Sequence, residues 1–471
     1  MLFIGDSIMD QEGGAATFLL RQAGIDARKV AVWGSGLFTP AQYDDGKTIL
    51  TAPAHSNGTH WLSLAAKLVD QHRPALVVVA MNHNHPAPYP HDADGHEIRA
   101  LTTPAGRAMV AAQTNALIDI LQRDGARVAF VTPPPEGDDH APTDNQIWAD
   151  TLPVLRARNI AVIDIAPAVA GPDGGRIQSA PDCRGDLVAI REPKAVHYTR
   201  YGAGLAGTIL AQGVAALLHR PLPDATAPGD HTIALVPTAT GKGYWLVQCD
   251  GSVYHFGDAA RLDGVSRAHQ PFVAAVMARP RGLWLVARDG TIVATGSAPA
   301  VRFGAHSADP IVAATHTDDG NGVVGVTANG DIVSTASPAV LRVPMSNVVA
   351  VTPGPVVVDR DGNVLGLPSS RGLRIRSPIT AAARVGNAYL LASADGSVAS
   401  RGGLPAQCSS RAEPLPANVR KVLKPSPLPP VTAIVAAPAG GYWIVRDNGA
   451  VIACYNAPNL GGSGNLALFT N

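Results

Sequence analysis

The chain has no excess of charge of either sign, because 37 basic residues match 37 acidic residues among its 471. This balance argues against a broad basic surface for nucleic acid or anionic lipid. Aromatic residues make up only 5% of the chain, which also disfavours stacking platforms for bases. We therefore expect no nucleic-acid partner.

Long apolar runs are also missing, because no uninterrupted stretch reaches the roughly 18 residues that cross a bilayer. The first residues lack the basic segment and long apolar stretch of a signal peptide, and the chain opens directly on an apolar run at residues 2–4. We therefore expect no transmembrane segment, and no signal peptide is visible.

Only four cysteines are present, and none lies close to another in the sequence: Cys183, Cys249, Cys408 and Cys454. This spacing excludes a CxxC zinc or redox motif. Four buried thiols are the default expectation. The alternative is disulfide pairing, including a Cys249–Cys454 bond if the first and last repeats described below are neighbours.

Glycine (48) and proline (39) are abundant, which indicates many turns, whereas an apolar content of 46% excludes a disordered chain. Residues 1–222 alternate apolar runs with helical patterns. The predicted strands are 2–4, 29–32, 76–81, 127–132 and 160–165, and the predicted helices are 12–24, 61–72, 104–123, 145–158 and 201–218. This alternation predicts a three-layer α/β domain with a parallel sheet and an active site at the carboxyl ends of its strands.

A Pro-rich linker at 223–230 leads into a second half, 231–471, where short strands and tight turns replace the helical patterns. A repeat of strand, turn and strand recurs, and its clearest copy is GYWLVQCDGSVYHFGDA at 243–259. The turn pairs are Asp250-Gly251, Asp289-Gly290, Asn329-Gly330, Asp361-Gly362, Asp395-Gly396 and Asn448-Gly449. Such pairs suit type I′ hairpins. Six hairpins predict a six-bladed β-propeller, with about five to seven blades or an open β-solenoid as alternatives.

Tryptophan recurs at one position of the repeat, as Trp245, Trp284 and Trp443. We expect these indoles to pack between blades, and a ring of aromatic platforms for sugars is the alternative. The repeats resemble the GYWLV/DG-type repeats of many actinobacterial surface and secreted proteins. That resemblance favours an extracellular or cell-envelope location and a repeat domain that binds a cell-surface glycan or protein.

Ser7 ends the motif Phe3-Ile4-Gly5-Asp6-Ser7, directly after the first predicted strand and at the start of a helix. Amide N–H groups at a helix N-terminus favour a developing oxyanion, so this placement suits a nucleophilic serine. The alternative interpretation is that Asp6 or Ser7 only caps the helix.

Four motifs in order resemble those of the SGNH (GDSL-type) hydrolase family over about 200 residues. GDSIMD at 5–10 matches the first motif, which implies that Ser7 is the nucleophile. Gly34-Ser35-Gly36 matches the second, which implies that the Gly36 amide binds the oxyanion, with Gly34 as a near alternative.

Asn82-His83-Asn84 takes the place of the third motif, which implies that the Asn84 side chain is a further oxyanion donor. Asn82 stands where the family usually has glycine. The last motif, Val196-His197-Tyr198-Thr199, implies that His197 is the general base. We expect Asp6, Gly34, Asn82, His83 and His85 to line the substrate cleft.

Lys194 departs from the family, which has Asp three residues before the catalytic histidine. A lysine cannot accept a hydrogen bond from imidazole. Glu192, Asp186 or a backbone carbonyl are candidate substitutes, and a Ser–His dyad is another possibility. An inactive relative that binds its ligand without cleaving it is the remaining alternative.

Four histidines fall within 14 residues of one loop, at His83, His85, His91 and His96. Imidazoles are zinc ligands, but this spacing matches no zinc pattern, so we expect no metal and assign the loop to the cleft. The resemblance implies a cofactor-free esterase acting on an acylated carbohydrate or lipid, with an O-acetyl ester as the first expectation. The alternatives are a non-catalytic relic within a binding protein and an O-acyltransferase.

Overall fold

The computed structural model describes residues 1–33, 35, 42–44, 49–51, 61–81, 104–135, 141–192, 197–222, 230–262, 265, 269–279, 282–368, 375, 377–402, 408 and 428–464. Its first part contains β1 (Leu2–Gly5), α1 (Ser7–Gln22), β2 (Arg28–Ala31), β3 (Gln42–Asp44), β4 (Ile49–Thr51), α2 (Trp61–His72), β5 (Leu76–Ala80), α3 (Pro104–Gln122), β6 (Arg127–Val131), α4 (Ala141–Ala157), β7 (Ala161–Ile163), α5 (Ala166–Val169), β8 (Ser179–Pro181), β9 (Leu187–Ala189) and α6 (Arg200–Leu218).

Five strands form one parallel sheet in the order β2-β1-β5-β6-β7, with β1 at its interior. Successive strand residues point to opposite faces, so a strand covered on both sides is apolar throughout. Phe3 and Val78 pack with α1 and α6 on one face, whereas Ile4 and Val79 pack with α2 and α3 on the other. The predicted three-layer α/β domain with a parallel sheet is therefore what the structure shows.

Helix α6 is the element that bears on the expectation that no segment crosses a bilayer. It is the one described helix long and apolar enough to cross a bilayer, although 56% of its most apolar window is buried. It packs against α1 at Gly207, where a Cβ atom would lie 2.6 Å from the carbonyl oxygen of Glu12. Glycine therefore permits this close approach, and the helix forms part of the α/β core.

The described part of the second half contains six small antiparallel sheets. Their strands are β10 (Thr232–Pro237), β11 (Gly243–Gln248) and β12 (Val253–Gly257); β13 (Phe272–Ala278), β14 (Gly282–Ala287) and β15 (Ile292–Gly296); β16 (Ile311–His316), β17 (Val323–Thr327), β18 (Asp331–Ser334) and β19 (Ser337–Arg342); β20 (Val348–Thr352) and β21 (Val356–Asp359); β22 (Ile379–Val385), β23 (Ala388–Ser393) and β24 (Val398–Arg401); β25 (Val431–Ala436), β26 (Tyr442–Arg446) and β27 (Val451–Cys454).

One type of backbone hydrogen bond links each sheet to the next. The first residue of a sheet's first strand donates its N–H to a carbonyl at the hairpin turn of the preceding sheet. The pairs are Phe272 to Cys249 (2.8 Å), Ile311 to Arg288 (2.9 Å), Val348 to Ala328 (3.0 Å), Ile379 to Arg360 (2.9 Å), Val431 to Ala394 (3.2 Å) and Thr232 to Asp447 (2.7 Å). Because the last bond joins the sixth sheet to the first, the six sheets follow one another around a closed ring.

The six hairpin turns are not of type I′, so that expectation is wrong. Each turn glycine has a positive φ, from 77° to 95°, but none of the preceding Asp or Asn residues does. In the first turn, the Asp250 side chain instead accepts a hydrogen bond from the Ser252 N–H at 2.8 Å. This pattern fits a type I turn followed by a left-handed glycine, because a local side-chain bond favours negative φ at the Asp or Asn.

The repeated tryptophans are buried between neighbouring sheets. Trp245, Trp284 and Trp443 are no more than 3% exposed, and each indole N–H donates to a carbonyl oxygen 15 residues further on. Trp443 of the last sheet packs edge-on against Tyr244 of the first, with ring centroids 5.5 Å apart. The packing interpretation is therefore correct, and the alternative of exposed sugar platforms is wrong.

All four cysteines form disulfides, so the default expectation of free thiols is wrong. The pairs are Cys183–Cys249 and Cys408–Cys454, with Cα–Cα distances of 5.9 and 5.8 Å. The Cys249–Cys454 alternative is wrong as well. Cys183 lies in the turn between β8 and β9, and its disulfide joins the α/β domain to the first sheet of the ring.

The two halves also make noncovalent contacts through α1 and α6. Phe18 of α1 packs edge-on against Tyr254, with ring centroids 4.9 Å apart. Arg200 begins α6 three residues after His197 and donates to the backbone carbonyls of Asn448 and Ser463. The ring of sheets therefore contacts both helices that flank the candidate nucleophile and base.

Candidate active site

Ser7 lies where the interior strand β1 passes into α1. Asp6 is the N-cap of this helix, and its carboxylate accepts a hydrogen bond from the Ile8 N–H at 2.8 Å. At Gly5, a Cβ atom would lie 2.0 Å from the carbonyl oxygen of Ala80, so only glycine fits beside β5. The capping role therefore belongs to Asp6, and Ser7 is the first residue of the helix.

His197 lies beside this serine although 190 residues separate the two in the chain. Its Nε2 atom is 3.0 Å from the Oγ atom of Ser7. Ser7 is 5% exposed and His197 is half-buried. Heavy atoms at this distance can exchange a proton directly, as a nucleophile and its general base must do.

The Ser7 amide lies in the first turn of α1, where N–H groups have no partner within the helix. Among the residues that the structure describes, no acceptor takes the Ser7 N–H. The N-terminal end of the helix also carries a partial positive charge. This amide can therefore donate to an oxyanion that develops next to Oγ.

Several predicted site residues lie outside the described residues. These are Gly34 and Gly36 of the second motif, Asn82, His83, Asn84 and His85 of the third, the loop residues His91 and His96, and Lys194. The described part of the site therefore consists of the β1–α1 turn, Trp33 and the segment around His197.

The two candidate orienting acids occupy different places. The backbone N–H of Glu192 donates to the carbonyl oxygen of His197 at 3.0 Å, and the Glu192 residue is exposed. Asp186 is exposed in the β8–β9 turn, where its N–H donates to Asp182 at 3.0 Å. Within the described part of the chain, no carboxylate forms a hydrogen bond or ion pair with the His197 ring.

Trp33 is a neighbour of His197 whose position the sequence did not predict. Its indole stacks on the imidazole, with centroids 5.1 Å apart and planes 25° from parallel. Trp33 is 48% exposed, so its indole covers the imidazole from the solvent side and is not buried in the core. Its N–H donates to Asp10 at 2.8 Å, and Asp10 also forms an ion pair with Lys29. The feature of the sequence that could have indicated Trp33 as a residue of the site is its place directly before the Gly34-Ser35-Gly36 motif.

Gln11 is a second residue that the motifs did not indicate. It lies one helical turn after Ser7, and its amide makes two hydrogen bonds with the backbone of Tyr198. The side-chain oxygen accepts from the Tyr198 N–H at 2.9 Å, and the side-chain nitrogen donates to the Tyr198 carbonyl at 3.2 Å. Gln11 thus joins the helix of Ser7 to the residue that follows His197.

A buried polar cluster lies one further residue along α1. Burial, and then the charge of Asp6, raise the pKa of the Glu12 carboxyl well above its usual range. Burial and the nearby Glu12 also raise the pKa of the Tyr198 phenol. The Arg191 guanidinium lies 4.2 Å from the centre of the Tyr198 ring. These buried groups pack beside the segment that carries His197.

One family comparison matches the first part of the chain. The sequence pattern of a family described as proteins of unknown function (DUF459) matches residues 1–213. That match stops before the ring of sheets. No sequence relative was found among curated proteins.

Solved structures with similar folds include three esterases. A psychrotrophic esterase from Pseudoalteromonas sp. is 12% identical with a TM-score of 0.28, a carbohydrate acetylesterase family member from Sinorhizobium meliloti is 14% identical with 0.28, and the M. smegmatis aryl esterase is 14% identical with 0.29. Each comparison covers 46% of this chain and 98% of the other. At these TM-scores the likenesses carry no argument about catalytic residues or substrate.

Proposed function

We propose that residues 1–222 form a serine esterase domain in which Ser7 is the nucleophile and His197 is the general base. The distance of 3.0 Å between Ser7 Oγ and His197 Nε2 is the observation that carries this proposal. A serine hydroxyl is a weak nucleophile until a neighbouring base takes its proton. The partly buried pair at the carboxyl end of β1 provides that arrangement.

The reaction proceeds in two steps, acylation of Ser7 and hydrolysis of the acyl-enzyme. Ser7 Oγ attacks the acyl carbon while its proton moves to His197 Nε2, and the imidazolium then gives that proton to the leaving alcohol as the acyl–oxygen bond breaks. Water next attacks the acyl-enzyme, with His197 taking a proton from water and returning it to Ser7. The products are a carboxylic acid and an alcohol, and no cofactor takes part.

The negative oxygen of each tetrahedral intermediate is bound by the Ser7 amide at the N-terminus of α1. We assign the Gly36 amide and the Asn84 side chain to the same role from the resemblance of their motifs, with Gly34 as the alternative to Gly36. Fixed donors of this kind stabilise charge that exists only in the transition state. The cleft residues Asn82, His83 and His85 remain part of this assignment.

We propose a six-bladed β-propeller for the ring of sheets, because the hydrogen bond from Thr232 to Asp447 closes it. Its role is to bind a glycan or a protein at the cell surface and hold the esterase there. The substrate is an acylated carbohydrate or lipid, with an O-acetyl ester first. The two disulfides support an extracellular or cell-envelope location, since such bonds persist in oxidising compartments.

A fluorophosphonate probe tests the nucleophile, together with hydrolysis of p-nitrophenyl acetate. We expect the wild type and a Ser179→Ala control, which removes an exposed serine of the same domain, to be labelled and active. Ser7→Ala should not be labelled and should lose about 10³-fold or more in kcat. Equal labelling of Ser7→Ala would show that another residue is the reactive nucleophile and would overturn the assignment of Ser7. An unlabelled, inactive wild type would overturn the esterase assignment and favour a non-catalytic binding domain.

A glycan acceptor tests acyl transfer. If water is the acyl acceptor, adding a glycan to the p-nitrophenyl acetate assay should leave the rate of p-nitrophenolate release unchanged. Faster release together with an acylated glycan would instead identify an O-acyltransferase.

A further inference from the structure

The base of the proposed Ser–His pair has an aromatic neighbour stacked on the face of its ring. An acid in a Ser–His–Asp site holds the imidazole in its working orientation and stabilises the imidazolium that forms during the reaction. In the described part of this site, the group packed on the His197 ring is the indole of Trp33.

We propose that Trp33, anchored by Asp10, positions the His197 imidazole and stabilises its cation. This inference rests on the proposed esterase function and adds two residues to it. Trp33 acts through His197 and is therefore a positioning residue.

The stacking geometry suits both effects. The two rings lie 5.1 Å apart at 25°, so the π face of the indole covers one face of the imidazole and restricts its rotation. A cation within about 6 Å of an indole centre is attracted by the ring's electron density. His197 becomes a cation only when it has taken the Ser7 proton. The attraction is therefore stronger in the transition state than in the ground state, which raises kcat.

The indole is itself held in place by charged groups. Its N–H donates to the Asp10 carboxylate at 2.8 Å, and Lys29 binds the same carboxylate and donates to the Asp10 carbonyl at 2.8 Å. Only 8% of the Asp10 side chain is exposed, so solvent screens this arrangement weakly. A carboxylate bound to the N–H also increases the electron density of the ring, which strengthens its attraction for a cation.

Helix α1 links this anchor to the nucleophile. Asp10 and Ser7 are three residues apart on α1 and lie within one turn of each other. The helix therefore fixes Ser7 directly and Trp33 through Asp10. The orientation of the imidazole is thus set by the element that carries the serine.

Three variants test the proposal with p-nitrophenyl acetate: Trp33→Leu, Trp33→Phe and Asp10→Asn. Trp33→Leu should lower kcat roughly 5- to 30-fold with little change in KM, because it removes the π face. Trp33→Phe keeps a π face and should retain kcat within about 3-fold. Asp10→Asn keeps an acceptor for the indole but loses the charge, and should lower kcat about 2- to 5-fold. Trp148→Leu, which alters a partly buried indole on α4, should change neither constant.

The outcomes separate this inference from the proposed function. If the wild type hydrolyses the ester but Trp33→Leu keeps its kcat, the inference is wrong and the esterase assignment stands. An increased KM at unchanged kcat would make Trp33 a substrate contact and would also overturn the inference. If Trp33→Leu does not fold, the variants Trp33→Phe and Asp10→Asn test the proposal instead. An unchanged kcat in Asp10→Asn would contradict it, and so would a loss of kcat greater than about 10-fold in Trp33→Phe.

Discussion

Two hydrogen bonds between the Gln11 amide and the Tyr198 backbone join the helix of Ser7 to the segment of His197. Both groups that Gln11 binds belong to the backbone of Tyr198, which is fully buried. A buried backbone group that loses its partner costs more than the bond itself contributed, because water does not replace it. At the residue scale, the geometry of the site depends on this amide as well as on the reacting groups.

Gln11→Met should therefore lower both stability and kcat. Loss of the two bonds should reduce the free energy of unfolding by about 1–3 kcal/mol, measured by urea denaturation. The shift of the Tyr198 backbone should also lower kcat for p-nitrophenyl acetate.

Gln22→Met is the matched control, because Gln22 on the same helix makes the same pair of bonds with the backbone of His255. Because Gln22 and His255 are partly exposed, it should lower the free energy of unfolding by less than Gln11→Met does, and it should leave kcat unchanged. If the two variants lowered kcat equally, Gln11 would have no particular role at the site.

At the scale of elements, the close packing of α1 and α6 brings the nucleophile and the base together. α1 begins at Ser7, and α6 begins at Arg200, three residues after His197. The helices approach closely at Gly207, where a Cβ atom would lie 2.5 Å from the Cβ of Ala15 and 2.6 Å from the Glu12 carbonyl oxygen. Neither atom can move away easily, because the Glu12 oxygen is part of the helix backbone and the Ala15 Cβ is bonded directly to it.

Gly207→Ala should accordingly destabilise the protein by about 1–3 kcal/mol, although alanine is the better helix former. The matched variant Gly13→Ala places its Cβ against the flexible Met9 Sδ atom, so its unfolding free energy should change by less than about 1 kcal/mol. Thermal and urea denaturation of both variants measure the difference. Equal stability of the two variants would show that the helices are not closely packed at this point.

At the scale of the whole molecule, His231 connects the two halves. One ring nitrogen bonds to Asp182 of the α/β domain at 2.8 Å, and the other bonds to Asp447 of the last sheet. The hydrogen bond with Asp447 is the main cause that raises the pKa of His231, and burial opposes it. Asp230 and Arg184 are the other charged groups that act at this position.

Since the folded protein raises the pKa of His231, its contribution to stability is fully present below the unfolded value near 6.5. That contribution is lost as pH rises through the folded pKa. His231→Gln should remove this part of the pH dependence of unfolding free energy, measured by denaturation between about pH 5 and 9. His72→Gln, which alters a histidine at the end of α2, should keep the wild-type profile. A wild-type profile in His231→Gln would contradict the assignment.

The sequence by itself determined the five strands of the parallel sheet, the five long helices of the α/β domain and the positions of the six hairpins. These features follow from patterns over a few residues, such as apolar runs in buried strands and the glycine of each turn. The sequence did not indicate the short strands β3, β4, β8 and β9 or the short helix α5. The first helix was predicted to begin at residue 12 but begins at Ser7, because Asp6 caps it there. The choice between turn types also depended on a side-chain hydrogen bond that composition does not reveal.

Only the tertiary structure decided which distant residues meet. The Ser7–His197 pair followed from a family resemblance, whereas the Cys183–Cys249 bond and the stacking of Trp33 on His197 were not predicted. Each of these contacts depends on how strands, helices and sheets pack, and the local pattern around either partner is the same whether or not they touch. The sequence therefore specified the elements, and packing between them specified the neighbours of the candidate nucleophile and base.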